Sequence, residues 1–366
     1  MNKDTKGLEM DLLPVERGDH SGDCIALRYG NLFEGGNEQT VVVIDGGYAN
    51  NAVSLKNHLK KYYNCIKNGK VHINIVFLSH PDQDHVEGLV KLFEDDEVEI
   101  DNLVAMIPWK VMNPTWFKDG RITKNSLDKK LEDAFNPLFS LVEVAEKKSV
   151  TAILTTNLAN PCNFNGASFF TLGPDLEFYK TCIANCEKTP PKAKDVPVMS
   201  EATFSIDNDN EEPYVPGQIK WNDSENTSPI NESSHIMLFE YEGHRFLFCG
   251  DAGKEALSRA INYAKINNIA LNNIDVIKMP HHGSRKNVNP NIMDTLKHIG
   301  CRCYISCKAG DEGHHPSKRL ANMLHEKGFE VHTTSGSTLH KGWNAPDREG
   351  WKKSNPVQVF PKMEKI

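Results

Sequence analysis

The stretch LSHPDQDHVEGL, residues 78–89, follows the apolar run VHINIVFL and decides how the rest of the chain is read. Four of the six positions from 80 to 85, namely His80, Asp82, Asp84 and His85, carry side chains that ligate metals. Carboxylates and imidazoles crowded this closely repel or desolvate one another unless a cation lies among them, and two divalent ions account for the crowd better than one. A plainer reading exists for Asp84, which precedes the short amphipathic run HVEGLVKLF and suits a helix N-cap.

Two distant stretches repeat the setting. FLFCGDAG (246–253) puts Asp251 at the end of an apolar strand, and IDVIKMPHHGS (274–284) does the same for His281 and His282. Alone, the first is a turn carboxylate and the second a surface pair. Three ligand-bearing ends of apolar strands form a pattern, because chemistry is commonly mounted on loops carried by a rigid scaffold.

The remaining elements alternate. LEMDLLPV, DCIALRYG and TVVVIDGG read as consecutive strands, AVSLKNHLKKYYN as a helix, INIVFLSH as a buried strand and IDNLVAMIP as another. Residues 110–150 form a helical insertion, with Leu127, Leu131, Phe135, Leu138 and Val142 on one face, Asn125 or Ser126 as cap and Pro137 as a kink. SFFTLGP is a strand, and residues 187–232, rich in Pro, Asp, Glu, Asn and Ser, a polar loop insertion. HIMLFEYEGHRFLFCGD is a hairpin turning at Glu242-Gly243. Helix and strand then alternate through KEALSRAINYAK, IDVIKM, NIMDTLKHIG, CRCYISC, SKRLANMLHEKG and FEVHTT. One α/β domain over residues 8–360 is expected, with two sheets face to face under outer helices.

Bulk properties exclude some classes. A net charge of −7 over 366 residues argues against a broadly basic nucleic-acid binder, although residues 275–366 hold 15 Lys/Arg against 9 Asp/Glu, a local +6 that leaves −13 on the rest. That block suits either a solvated face or a basic rim around an anionic substrate. No apolar stretch nears the ~18–20 residues that span a bilayer, and the N-terminus has no signal-peptide core. The nine cysteines include no C-x2-C pair. Cys301, Cys303 and Cys307 share strand parity and read as one buried face, and Cys182 with Cys186 makes only a weak metal pair. Reduced thiols and a cytoplasmic setting are expected, with no membrane partner.

In order along the chain, GDCIAL (22–27), VVVIDGG (41–47), LSHPDQDHVEGL (78–89), TLGP (171–174), FLFCGDAG (246–253), IDVIKMPHHGS (274–284) and GHHPS (313–317) resemble the metallo-β-lactamase superfamily. Within it they are most similar to the ComEC-like hydrolases, named for the lactamase-like domain of the bacterial DNA-uptake channel. The resemblance implies a four-layer αββα sandwich of two mixed sheets covered by helices, and two divalent ions, Zn²⁺ or Mn²⁺. It also explains Asp82, since this branch carries Asp at the second ligand place of His-x-His-x-Asp-His.

By resemblance His80 and Asp82 serve one ion, Asp84 and His85 the other, with Asp251 bridging and His281 completing the second site. The histidine that usually precedes the hairpin is missing from INESSHIM; Asn231 stands in, and His235 is a weaker candidate. His282 is expected as an acid group or as support behind the ligands, and Asp23 and Asp45 as carboxylates that orient the imidazoles. A turn at Gly46-Gly47 accounts for Asp45 equally well. His314 and His315 are read as facing substrate or lying on a surface loop, and Ser284, Arg285 and Lys286 as phosphate contacts.

The expected activity is hydrolysis of a phosphodiester, in DNA, RNA or another nucleotide, by a hydroxide held between two ions and oriented by Asp84, with His282 as the second catalytic group. A protein partner would supply the grip on DNA. The same ions would serve a metallo-hydrolase of thioesters, lactones or amides. A third reading is a non-catalytic subunit of a multi-protein system.

Overall fold

The structure, a computed structural model, describes residues 6–34, 38–156, 160–199, 221, 223–308 and 315–358. Residues 200–220 and 222 of the expected polar insertion, His314 and the last two residues of the expected domain lie outside them.

Strand β1 (Lys6–Leu12), the short ribbon β2 (Glu16–Arg17) and β3 (His20–Ser21), and strands β4 (Cys24–Asn31) and β5 (Gln39–Gly46) open the fold. Helix α1 (Asn51–His58) runs into a π-turn at Leu59–Tyr63. Then come β6 (Ile66–Lys67), β7 (Lys70–Phe77), α2 (Gln83–Glu94) and β8 (Val98–Val104), followed by α3 (Pro108–Val111), α4 (Lys124–Ala134), α5 (Asn136–Lys147) and β9 (Ala152–Ile153). The second half holds β10 (Cys162–Phe164), β11 (Ala167–Gly173), α6 (Leu176–Asn185), α7 (Pro229–Glu232), β12 (Ile236–Tyr241) and β13 (His244–Phe248). It continues with α8 (Lys254–Ile266), β14 (Val276–Lys278), α9 (Pro290–Leu296), β15 (Arg302–Ile305), α10 (Lys318–Glu326), β16 (Glu330–Thr333) and β17 (Leu339–Trp343).

These strands make two mixed sheets. The first has eight strands ordered β17-β1-β4-β5-β7-β8-β9 with β6 beside β7, and the second has seven, β10-β11-β12-β13-β14-β15-β16. Both begin as antiparallel meanders and turn parallel, at β5–β7 and at β13–β14. Each parallel crossover carries a helix, which places helices on the outer faces.

Side-chain alternation explains the layers. Val42 and Ile44 of β5 face the second sheet, among Phe77, Phe169, Met237, Phe239 and Phe248. Val41 and Val43, on the opposite face, pack under α1, α2, α4 and α5. A strand buried on both sides must read as a continuous apolar run, as VVVI does. On the other flank α8, α9 and α10 cover Leu247, Ile277, Cys303 and Val331. The result is the expected αββα order, with Cys301, Cys303 and Cys307 buried in the outer core of the second sheet.

Local details depart from expectation. Thr123, rather than Asn125 or Ser126, caps α4 by accepting the Ser126 N–H. Pro137 starts a separate helix, because its ring fits the first turn and not a helix interior. β17 was not legible as a strand; it returns from the end of the chain to pair with β1 (Leu8 opposite Trp343). Beside it Glu9 and Asp11, fully buried, are met by Arg28, Arg348, His58 and His340, so the buried carboxylates are compensated.

Candidate metal centre

The clustered ligand-type residues come from the end of β5 (Asp45), the turn before β4 (Asp23), the loop after β7 and the first turn of α2 (His80, Asp82, Asp84, His85), and the segments after β13 (Asp251) and β14 (His281, His282). The loop after β7 is held by Asp45, whose carboxylate accepts the Ser79 N–H (2.8 Å), the Ser79 hydroxyl (2.7 Å) and a bond with His85 Nδ1 (2.8 Å). Asp45 takes a left-handed backbone (φ 56°), which lets the chain turn back under that loop. Helix α2 then rests on the turn: the Gly88 N–H donates to the Gly47 carbonyl at 2.8 Å, and a Cβ at Gly88 would lie 1.9 Å from the Gly46 carbonyl oxygen. The N-cap of α2 is Asp82, not Asp84, and its carboxylate makes no capping bond.

Asp251 divides the donors into two sets. Its Oδ2 lies 3.7 Å from His80 Nε2 and 4.0 Å from His281 Nδ1, and Asp82 Oδ2 is 3.6 Å from the same His80 nitrogen. Its Oδ1 lies 3.4 Å from His85 Nε2, which is 3.5 Å from Asp84 Oδ2, and that oxygen is 3.3 Å from His282 Nε2. Ligand atoms of Asp84, His85, Asp251 and His282 all fall within 4.8 Å of one another, the spacing of a shared cation. His80 Nε2, His85 Nε2 and Asp251 Oδ1 are buried and form no hydrogen bond among the described residues. Such groups are rarely orphaned in a folded protein, and nitrogens and carboxylates aimed at a common point suit a divalent ion.

The electrostatics agree. Burial works against a charged Asp84, yet His85 and His282 outweigh it and hold that carboxyl well below its usual range. Asp251 is likewise held low by the surrounding imidazoles despite complete burial. Burial pulls His85 down, but Asp251, Asp84 and Asp45 more than offset this and raise it well above an ordinary imidazole; His282 is raised too. Protons on these rings supply the charge that the carboxylates demand.

His281 and His282 exchange their expected places. His282, buried, joins Asp84 and His85, whereas His281 sits at the mouth on the other side of Asp251. Both residues are left-handed (φ 47° and 54°), so the chain turns sharply between them, and their ring planes stand at 86° to each other. Asn231 does not join the ligand atoms as expected. Its amide nitrogen lies 2.8 Å from His281 Nδ1 and 2.8 Å from the Thr227 hydroxyl, bracing the ring. His235 is enclosed between the sheets, bonded to Thr171 Oγ1 at 3.0 Å and stacked on Phe77, and burial pushes it down to about 4.

Asp23 is placed behind the imidazoles, 3.7 Å from His282 Nδ1 and 3.8 Å from His85 Nδ1. His315 lies at the rim, its ring centroid 6.0 Å from that of His281. The phosphate contacts expected of the next loop are not offered in this form: Ser284 is buried and Arg285 is ion-paired with Glu225. Lys286 is half-buried.

Sequence reading missed three groups. Ser79 relays Asp45 to His80 Nδ1 (3.1 Å), and Lys188 lies 4.0 Å from Asp82 at the rim. Lys278, buried in β14, forms an ion pair with Asp23. A lysine inside the apolar run VIKMP was a visible signal, because a buried ammonium needs a partner.

Comparison with protein-family models and with curated proteins gives no match. Among solved structures the chain is similar to the metallo-β-lactamase fold protein YhfI from Bacillus subtilis (9% identity, 92% of this chain and 99% of that one, TM-score 0.44). It is also similar to Zn²⁺-bound PqqB from Methylobacterium extorquens (12% identity, 90% and 99%, TM-score 0.45). A diphosphatase of the PhnP family aligns at 10% identity over 92% and 98%, with a TM-score of 0.39.

Proposed function

We propose that this chain is a binuclear metallo-hydrolase of the metallo-β-lactamase superfamily that cleaves a phosphodiester in DNA, RNA or another nucleotide. One observation carries the reading: Asp251 Oδ1 faces the converging group Asp84–His85–His282, while its Oδ2 lies 3.7 Å from His80 Nε2 and 4.0 Å from His281 Nδ1 on the other side. When bound, Zn²⁺ or Mn²⁺ ions would supply an activated water at neutral pH and positive charge for the substrate's oxygens. A phosphodiester draws most from that pairing, since its attacking and leaving oxygens both need stabilising.

The chain's own residues do the rest. Asp84, only partly covered, accepts a hydrogen bond from the attacking water and fixes its approach. Asn231 and Thr227 hold His281 at the mouth, where it and His315 line the entry for substrate. Lys188 at the same rim attracts an anionic group. The ComEC-like motifs favour DNA, and the acidic total favours a protein partner that supplies the grip. All nine cysteines are free thiols, which favours a cytoplasmic setting.

The test strips the protein with chelator, reloads it with Mn²⁺ or Zn²⁺, and offers bis-p-nitrophenyl phosphate, single- and double-stranded DNA, and RNA beside a thioester and a lactone. Release of nitrophenol or nucleotides, lost in Asp84→Asn, is the expected result. Loaded protein that cleaves only the thioester or lactone would refute the substrate class, and protein that takes up no ion would refute the whole reading.

A further inference from the structure

We infer that Lys278 is a positioning residue for the second donor set, a covalently attached cation that holds Asp84, His85, Asp251 and His282 in register from beneath. The inference rests on the binuclear reading above and concerns a group that this reading does not use.

Lys278 ends β14 between Ile277 and Met279 and is 2% exposed. A lone ammonium at such a depth is strongly unfavourable, and an apolar residue of similar volume would serve stability as well or better. Its bonds therefore point to another role. The Nζ forms an ion pair with Asp23 from the first sheet's half and donates to the Gly250 carbonyl of the second at 3.2 Å.

Each partner touches the second set. The Asp23 N–H donates to the Asp84 carbonyl (3.1 Å), the Asp23 carbonyl accepts the Gly47 N–H (2.7 Å), and its carboxylate lies behind the rings of His85 and His282. Gly250 precedes Asp251, and its carbonyl also accepts the His281 N–H at 3.3 Å. One ammonium thus reaches every member of the second set through a single intermediary.

To the cluster beneath, Lys278 brings a charge that does not depend on the protonation of a histidine. Asp23, Asp45 and His85 bring ligand atoms within 4.8 Å of one another, all buried, and the Lys278 ammonium is bonded to the first of them. The first donor set is held differently. His80 hangs from Ser79 and Asp45, and Asp82 from the start of α2; His281 is the member of this set that meets the Gly250 carbonyl Lys278 also reaches. A perturbation at Lys278 should therefore fall harder on the second set, since the first shares with it only Asp251 and, through the Gly250 carbonyl, the His281 N–H.

The experiment measures ion uptake by mass spectrometry and calorimetric titration with Mn²⁺ and Zn²⁺ on chelator-stripped protein. Lys278→Met is compared with the double variant Lys278→Met/Asp23→Asn, which leaves no uncompensated buried charge, and circular dichroism reports folding. Wild type should take up two ions. The double variant should bind one ion about 10–100-fold more weakly, as loss of a group supporting metal ligands does, and the other with a clearly smaller loss. Two ions bound as in wild type, or equal weakening of both, would overturn the assignment. A wild-type chain that takes up fewer than two would overturn the binuclear reading itself, and Lys278's role with it.

Discussion

Replacing Asp45 by Asn changes one atom of the site and separates orientation from bulk. Asn tolerates the left-handed backbone at this position about as well as Asp, so the turn at Gly46-Gly47 should survive. The carboxylate has three partners: the Ser79 N–H, the Ser79 hydroxyl and His85 Nδ1. An amide oxygen can keep the Ser79 backbone bond, but an NH₂ group now faces His85 Nδ1. That nitrogen must become the acceptor, which moves the ring proton to Nε2, the atom turned toward Asp251 and Asp84. An Nε2–H cannot ligate a cation. Loss of such a supporting carboxylate lowers metal affinity about 10–100-fold, or roughly 1.4–2.7 kcal/mol. The Ser79 relay to His80 weakens at the same time, so both ions should be affected, the one near His85 more. Calorimetric titration of stripped protein with Mn²⁺ and Zn²⁺, with chelator competition for the tighter phase, measures the change. Affinities within twofold of wild type in a folded variant would refute this account of Asp45.

Asp251→Asn should weaken both ions by more than the ~10–100-fold that an outer partner contributes, and abolish turnover, because its two oxygens serve both donor sets; retention of one ion at full affinity would contradict a shared carboxylate. Ion uptake should depend on pH with a definite sign. Burial lowers His85, but Asp251 and its neighbours raise it further, and His282 is raised too, so both hold protons above the usual ~6.5 in the ion-free protein. Ion binding then releases protons and tightens as pH rises through the range where these imidazoles lose them; titration at pH 6.5 in buffers of different ionisation heat should find protons released on ion uptake, and none released would contradict the sign. Gly88→Ala gains up to ~1 kcal/mol in helix propensity. It nevertheless drives a Cβ to 1.9 Å from the Gly46 carbonyl, with backbone on both sides of the clash. A net destabilisation on the order of 1–2 kcal/mol follows, read as a lower urea midpoint.

Much of this was legible in the chain. Runs such as VVVIDGG and INIVFLSH announce strands buried on both faces, and Glu242-Gly243, both left-handed here, marks its hairpin unaided. The acidic and imidazole residues that converge were likewise visible, because ligand chemistry clusters at strand ends. What stayed hidden depends on distance and backbone sign. β17 has few apolar residues and gains its strand character only by pairing with β1 at the far end of the chain. Which of His281 and His282 turns inward is set by two consecutive left-handed residues, a conformation histidine rarely announces. Lys278 makes sense only beside Asp23, and Asn231 only beside His281, and no local pattern carries either pairing.

The donor sets straddle the two halves of the sandwich: His80, Asp82, Asp84 and His85 ride on the first, Asp251, His281 and His282 on the second. Bound ions would act as rivets across that seam, so resistance to heat should track free-ion concentration, by ~2.7 kcal/mol at a hundredfold excess over the dissociation constant. Chelator in a purification buffer would then do more than empty the site: it would leave a molecule that unfolds at a lower temperature.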